Sequence, residues 1–420
     1  MTLRTGLVSA IKLLVAILLL SSNVANAQNK EPKTELNGFM RNYTGVLYSS
    51  GDFSIVQNTL DLTLKHRRKN VSFLANGFYY QYFDQKDFFD IRELYMDVST
   101  KKLDFRIGRQ QIVWGQADGV FITDIVSPLN LTEFLLWDFN EIRMGVNAVK
   151  TKYYPTQDQT FELVWIPIFT GSILPDSNSI WRPEQSFPAP PTFDYSKSAI
   201  PSNIENSELF VRYSLSKSAI DIQLIGAYAW DDAPSMGIQK QIDTNRKLTG
   251  LTITPEHHRQ IMGGGNLSTT LEGFIIRGEA AYYFEKHFQT TDPKANGALV
   301  KKDYINYVIG LDRSIGTWKL SGQFIQKVIF DYNDHINEEE VGNLMTVMIN
   351  KTMFREQLRL ELFSYIGLTN EDALVRIRGY YFPFDGLSIE LGTNLFLGDK
   401  GTFGQYHNNS MAYTRIKYSF

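Results

Sequence analysis

Hydrophobic and polar residues alternate along most of this chain with a period of two. From Val56 the run VQNTLDLTLK puts Val56, Leu60, Leu62 and Leu64 on one face, and Gln57, Thr59, Asp61, Thr63 and Lys65 on the other. Further on, Leu209, Val211, Tyr213 and Leu215 oppose Glu208, Arg212 and Ser214. Such alternation predicts strands with one apolar and one polar wall. About eighteen strands follow, with sixteen as the alternative, near 36–47, 55–66, 71–82, 91–99, 103–113, 141–154, 159–166, 207–216 and 218–230. The rest lie near 257–269, 272–285, 302–314, 317–330, 344–353, 357–368, 372–381, 386–397 and 410–420.

The connections alternate too. Those at 67–70, 100–102, 155–158, 216–217, 270–271, 315–316 and 383–386 are short. Those at 114–140, 167–206, 231–256, 286–301, 331–343 and 398–409 are long. Short turns on one side and long loops on the other are the periplasmic and extracellular ends of an outer-membrane barrel. Strands in lipid cannot leave an open edge, so the sheet must close. The expected fold is all-β, a transmembrane antiparallel up-and-down β-barrel. A propeller would show blade repeats, and none is present. After residue 20 no apolar run reaches the length of a spanning helix.

The two ends agree with export to that membrane. Arg4 and Lys12 precede or border the apolar run LLVAILLL at 13–20, and Ala25-Asn26-Ala27 has the small-x-small form of a cleavage site. The run is too short to span a bilayer as a helix. Residues 1–27 are therefore expected to be a cleaved signal peptide, 28–35 a periplasmic N-terminal segment and 36–420 the barrel. In the last strand Phe420, Tyr418, Ile416, Thr414 and Ala412 face outward, while Ser419, Lys417, Arg415 and Tyr413 face inward. A terminal Phe420 with Tyr418 two residues before it resembles the signal by which the barrel-assembly machinery recognises outer-membrane barrels.

Composition changes the picture in three places. Aromatic residues make up 13% of the 420 residues, yet mean hydropathy is slightly negative, as expected where only alternate residues meet lipid and aromatic girdles mark each interface. A net charge of −3 supplies no field to recruit nucleic acid. The absence of cysteine removes thiolate catalysis and cysteine-held clusters or haem. The six histidines lack metal-ligand spacing, and no nucleophile elbow or phosphate loop is present. Gly263-Gly264-Gly265 lies within a strand and reads as a bulge or a close approach. No enzyme activity, cofactor or metal is expected.

The chemistry concentrates between Ile91 and Tyr154. Gly108-Arg109-Gln110 leads into Trp114-Gly115, then Asp124 and Ser127-Pro128-Leu129-Asn130. This run resembles a large porin-like outer-membrane β-barrel family of mostly unassigned function, in which a GRQ strand enters a WG turn. The Pro-rich stretch 181–191 resembles that family as well. More distantly, the GRQ strand is similar to alginate-export barrels, without their basic clustering. The resemblance implies transport without naming a solute.

Alternation turns Arg106 and Gln110 inward and Arg109 outward, unless a bulge near Gly108 reverses it or Arg109 sits at headgroup level. Trp114, Asp118, Asp124, Glu141, Arg143, Arg212, Arg277, Arg376 and Arg378 complete the set of pore or substrate candidates. Their charges either contact solute or tie the loop to the wall. Asp61, Glu279, Lys319, Lys327, Arg359, Glu361 and Glu390 also point inward, so both signs line the lumen. Prolines stiffen loop 167–206, and Phe169, Trp181, Phe187 and Phe193 give it apolar surface. It either constricts the pore together with loop 114–140 or lies outside against neighbouring loops or lipopolysaccharide. The leading function is a channel for small, partly apolar organic solutes. The rivals are export of a polysaccharide or lipid-like product, and a closed barrel acting as receptor or adhesin. The expected partners are outer-membrane lipid, the assembly machinery and the solute. The oligomeric state is open.

Overall fold

The computed structural model describes residues 32–83, 86–183 and 187–420. The expected signal peptide, residues 1–27, lies outside the described residues. The wall begins with β1 (Lys33–Leu47), β2 (Phe53–Arg68), β3 (Val71–Tyr82), β4 (Phe88–Ser99), β5 (Leu103–Gln110), β6 (Val146–Tyr153) and β7 (Gln159–Ile166). Outside it lie β8 (Pro191–Phe193), β11 (Ser235–Ile242) and β12 (Leu248–Glu256). The wall continues through β9 (Glu208–Lys217), β10 (Ile220–Trp230), β13 (Arg259–Leu271), β14 (Phe274–Gln289), β15 (Leu299–Ile315) and β16 (Trp318–Ile329). It ends with β17 (Val341–Met353), β18 (Leu358–Gly367), β19 (Asp372–Phe384), β20 (Leu387–Leu397) and β21 (Met411–Ser419).

Each wall strand pairs antiparallel with the next, and β21 pairs with β1 from Phe39↔Ser419 to Leu47↔Met411, closing an 18-stranded sheet. Closure satisfies the backbone polar groups that lipid cannot solvate. The burial pattern is the reverse of a soluble protein's. Met40, Leu224, Ile309 and Leu391 are more than half exposed on the outer wall, whereas Arg41 and Glu390, one position along, are 6% and 8% exposed inside. Tyr418 and Phe420 point outward, and Arg415 and Tyr413 are buried within. The backbone of Phe420 exchanges two 3.0 Å hydrogen bonds with Gly38.

Four expectations need correction. First, β1 starts at Lys33, so residues 33–35 of the supposed periplasmic segment belong to the wall, opposite Arg67, His66 and Lys65. Second, the strands placed at 103–113 and 141–154 are shorter. Gly108 has φ 126°, and a Cβ there would lie 2.3 Å from the Leu94 carbonyl oxygen. Two residues later β5 stops pairing, and the Gln111 N–H is taken by the Glu93 carboxylate at 3.0 Å. The chain returns to the wall only at Val146, after a helical turn at Phe139–Ile142. Third, 231–256 is a hairpin, β11 with β12, and β8 adds to it in parallel. Leu251 and Ile253 are buried on one face of β12, so period two was present but short. Pro191 is tolerated as the first residue of an edge strand. Fourth, Gly263-Gly264-Gly265 forms no bulge and pairs in unbroken register with both neighbours.

The outer wall predicts its own mutational response. Ile309→Arg on β15 should destabilise the barrel by roughly 2–4 kcal/mol near the bilayer midplane, read by urea-dependent folding into lipid vesicles.

Candidate functional site

An eighteen-stranded wall encloses more space than its own side chains fill. Here the segment 111–145 turns into that space and is fastened to the wall on several sides. On the first side, Trp114 is 1% exposed, and its indole Nε1–H donates to Glu162 Oε1 at 2.6 Å. The Arg212 guanidinium covers the same ring and pairs with Glu162 at 3.1 Å.

The second fastening is a carboxylate. Glu279 on β14, 4% exposed, accepts the backbone N–H groups of Gln116 at 2.8 Å, Ala117 at 3.2 Å and Thr123 at 2.7 Å. The Thr123 hydroxyl donates to it as well, at 2.8 Å. Beside it Arg277 donates to the Gln116 carbonyl at 2.6 Å and to Asp118 at 2.5 Å. Gln323 on β16 both accepts from the Asp118 N–H and donates to the Asp118 carbonyl. Charge-assisted bonds of this kind are stronger than neutral ones.

The tip reaches the far wall. Tyr365 on β18 donates to the Gly119 carbonyl at 2.7 Å, and Tyr283 on β14 to the Ile122 carbonyl at 3.0 Å. Gly119 has φ 79°, and a Cβ there would stand 2.5 Å from the Phe363 ring. Only glycine fits that approach without strain.

The returning half is held by arginines. Arg376 on β19 donates to the Leu135 and Leu136 carbonyls at 3.1 and 3.3 Å. Arg415 on β21 donates to Asp138 at 2.9 Å. Arg41 on β1 clasps both oxygens of Glu141 at 2.9 Å. Within the loop, Arg143 donates to Asp124 at 2.7 Å and lies over the rings of Phe121 and Phe139. Half-buried Glu133 stands in the same stretch. Burial pushes its carboxyl up to about 7, against the pull of Arg415 and Arg41 and with a push from Glu141. A cavity of about 560 Å³ remains on the long-loop side of the segment, and a smaller one of about 170 Å³ lies toward the short turns.

Residues 22–354 match the family model DUF1302, described as a protein of unknown function. The chain belongs to the DUF1302 family. No curated protein sequence matches it. Among solved structures it is similar to OccK8 (OprE) of Pseudomonas aeruginosa, with 10% identity, a TM-score of 0.55, and 92% of this chain and 98% of that chain covered. P. aeruginosa OpdK, solved with vanillate, gives 8% identity and a TM-score of 0.53 over 92% of this chain and 98% of that one. A BenF-like porin from Pseudomonas fluorescens Pf-5 gives 9% and 0.53 over 94% and 99%. At such identities the likeness is one of fold, the closed antiparallel barrel.

In this DUF1302 chain the candidates divide by position. Trp114, Asp118, Asp124, Glu141, Arg143, Arg212, Arg277 and Arg376 meet in the loop-to-wall network. Asp118, Asp124, Glu141 and Arg143 all sit on the inward segment, so the placing of Glu141 and Arg143 on a wall strand is corrected. Arg106 stands apart, clasping Asp97 at 2.6 and 2.9 Å, and Arg378 pairs with Glu361. Gln110 is fully buried and donates to the Ala148 carbonyl. Arg109 opposes lipid-facing Leu94 and pairs with Asp90 at 2.8 Å at the upper end of β5, outside the network.

The loop between β7 and β9 divides likewise. Trp181 is 5% exposed and packs on Phe396 and Tyr406, across the barrel from its own strands, and the Tyr406 hydroxyl donates to its carbonyl. Phe169 stays by the near rim, against His257 and Trp230. Phe193 belongs to β8 and stacks on Tyr195 in the outer sheet, and Phe187 is half-buried. Sequence reasoning missed Arg41, Asp138, Glu162 and Gln323, and also Arg92, which pairs with Asp61 at 3.4 Å and donates to the Asn140 carbonyl at 3.2 Å. Arg41 carried no clear signal, since it shares its parity with Phe39 and Tyr43, aromatic residues that alternation alone would turn to lipid.

Glu279→Gln should leave the barrel folded and release the loop. Each N–H bond to a charged acceptor contributes about 1.5–3 kcal/mol. Hydrogen exchange at residues 116, 117 and 123 should therefore accelerate by roughly tenfold or more, measured by mass spectrometry on the folded protein.

Proposed function

We propose that the protein is a Gram-negative outer-membrane channel for small, partly apolar organic solutes, with segment 111–145 as its constriction. One observation carries this reading: a wide polar lumen is narrowed by a loop whose own charges are nearly all paired, while open volume remains on both sides. Outer-face chemistry supports the membrane, and Phe420 with Tyr418 is read as the assembly signal. OpdK, solved with vanillate, supports an aromatic or partly apolar solute. Gly108-Arg109-Gln110 to Trp114-Gly115 is read as the point where the wall hands over to the pore loop. Export of a charged polysaccharide would call for unpaired cations along that loop. Arg143 is instead paired with Asp124, which disfavours kinship of function with alginate-export barrels.

A closed barrel is favoured by one fact, the breadth of the loop's attachment, which runs from Glu162 past Glu279 and Tyr365 to Arg415 and Arg41. Planar-bilayer recording decides between the two. The purified barrel should give discrete single-channel steps, and deletion of 172–200, which carries Trp181, should raise their size. A barrel that never conducts, with or without the deletion, would be the receptor or adhesin.

Glu133 gives the channel a pH response. A carboxyl raised from its ordinary value of 4.5 to about 7 binds its proton more tightly in the folded state. Its contribution to stability is present below the ordinary value and is lost as pH rises through about 7. Over the same interval the constriction gains a negative charge. Reversal potentials in a salt gradient should shift toward cation preference between roughly pH 5.5 and 8.5. Glu133→Gln should flatten that shift.

A further inference from the structure

The larger cavity is built differently from the loop network beneath it. Its floor is Val120, Phe121 and Ile122, and Phe403 and Leu344 stand at its sides. Its walls carry the carboxamides of Asn306, Asn337, Asn370 and Gln405 and the hydroxyl of Thr402, while Asn343 and Thr369 bond to each other and to Gln326 and the Val341 carbonyl. All come from the long-loop side, at the upper ends of β15 to β19 or the loops above them. Its volume of about 560 Å³ is that of a small-molecule site, and apolar surface with a few placed polar groups is the usual make-up of one.

The charges lining this cavity are mostly occupied. Lys327 pairs with Glu338. Asp372, 3% exposed, accepts the N–H groups of Phe403 at 2.6 Å and Gly404 at 3.4 Å. Glu339, on the exposed rim, has no cation within ion-pair distance among the described residues. An anion would therefore find no free cation here, and three carboxylates against one lysine. Asn306, by contrast, has capacity to spare. The Asn306 side-chain oxygen is buried without a hydrogen-bond partner, which costs free energy unless a ligand or water supplies a donor.

We propose that this cavity binds an uncharged organic solute with hydroxyl groups on or beside a ring, the chemistry of an aryl glycoside. The ring would lie against Val120, Phe121 and Leu344, and the hydroxyls would meet the amides, with one donating to Asn306 Oδ1. This deepens the channel reading and rests on it in taking the cavity as the outer antechamber of the pore.

The test uses the full barrel in detergent and titration calorimetry with phenyl glucoside, benzoate and benzylammonium. Phenyl glucoside should bind with the highest affinity of the three. Raising salt from about 0.1 to 1 M should leave that affinity essentially unchanged, because no ion pair is made. Asn306→Leu should weaken it by about three- to tenfold, and Asn370→Ala, in the half-buried turn after β18, should weaken it too. Heat-dependent mobility on gels checks that both variants are folded. Absence of glucoside binding, tighter binding of either ion, or full affinity in both folded variants would overturn the proposal. Conductance of the same preparation keeps the two readings apart. A conducting barrel without glucoside binding overturns only the inference, and binding without conductance overturns the channel and leaves a receptor site.

Discussion

Backbone hydrogen bonding in lipid is the constraint on which the rest depends. A peptide N–H or C=O facing hydrocarbon has no water to turn to, so every strand needs two neighbours and the sheet must return on itself. That single demand fixes the pairing of β21 with β1, the even alternation of the walls and the inversion of polar and apolar faces. It also fixes a problem. A ring of this many strands is too wide to be filled by its own side chains.

The lumen solves that problem with chain rather than with side chains. Segment 111–145 leaves the wall and must then satisfy its own backbone groups away from any sheet. Glu279 takes three of its N–H groups, and Arg376, Arg415 and Arg277 take its carbonyls. The charges of the lumen are thus largely a replacement for missing β-sheet partners. Removing one such side chain costs about 1–3 kcal/mol for each backbone group it leaves buried and unsatisfied. The polar inner wall therefore serves the fold before it serves any solute.

That priority explains what could be read in the sequence. Strand positions, the long and short connections and the facing of Tyr418 and Arg415 were all legible, because period two is imposed by lipid on one side and water on the other. The ends of β5 and β6 were not legible. Asn140, Glu141 and Arg143 continue the charged pattern of a wall strand but belong to the loop, and only the contacts of Arg41 and Asp124 reveal it. The β11–β12 hairpin was missed for the complementary reason. Away from lipid it needs no long apolar face, so its signal shrinks to Leu251 and Ile253. Pairings such as Trp114 with Glu162 or Tyr365 with Gly119 join positions far apart in sequence, which no local pattern encodes.

The same logic separates two kinds of polar residue inside the barrel. Arginines and carboxylates at the level of the loop are matched to one another or to backbone, and their fields largely cancel at short range. Asn306 above the loop has no such duty, since β15 already pairs with β14 and β16 in the ladder. Arg41, Arg277, Arg376 and Arg415 each leave a buried Nε unpartnered while their other nitrogens hold the loop. Asn306, opposite Lys327 in register, leaves its buried oxygen unpartnered and holds no part of the loop. A group that holds nothing in place but keeps unmet hydrogen-bonding capacity is poorly explained by stability. On the proposed reading its partner is a hydroxyl of the solute that enters from the long-loop side.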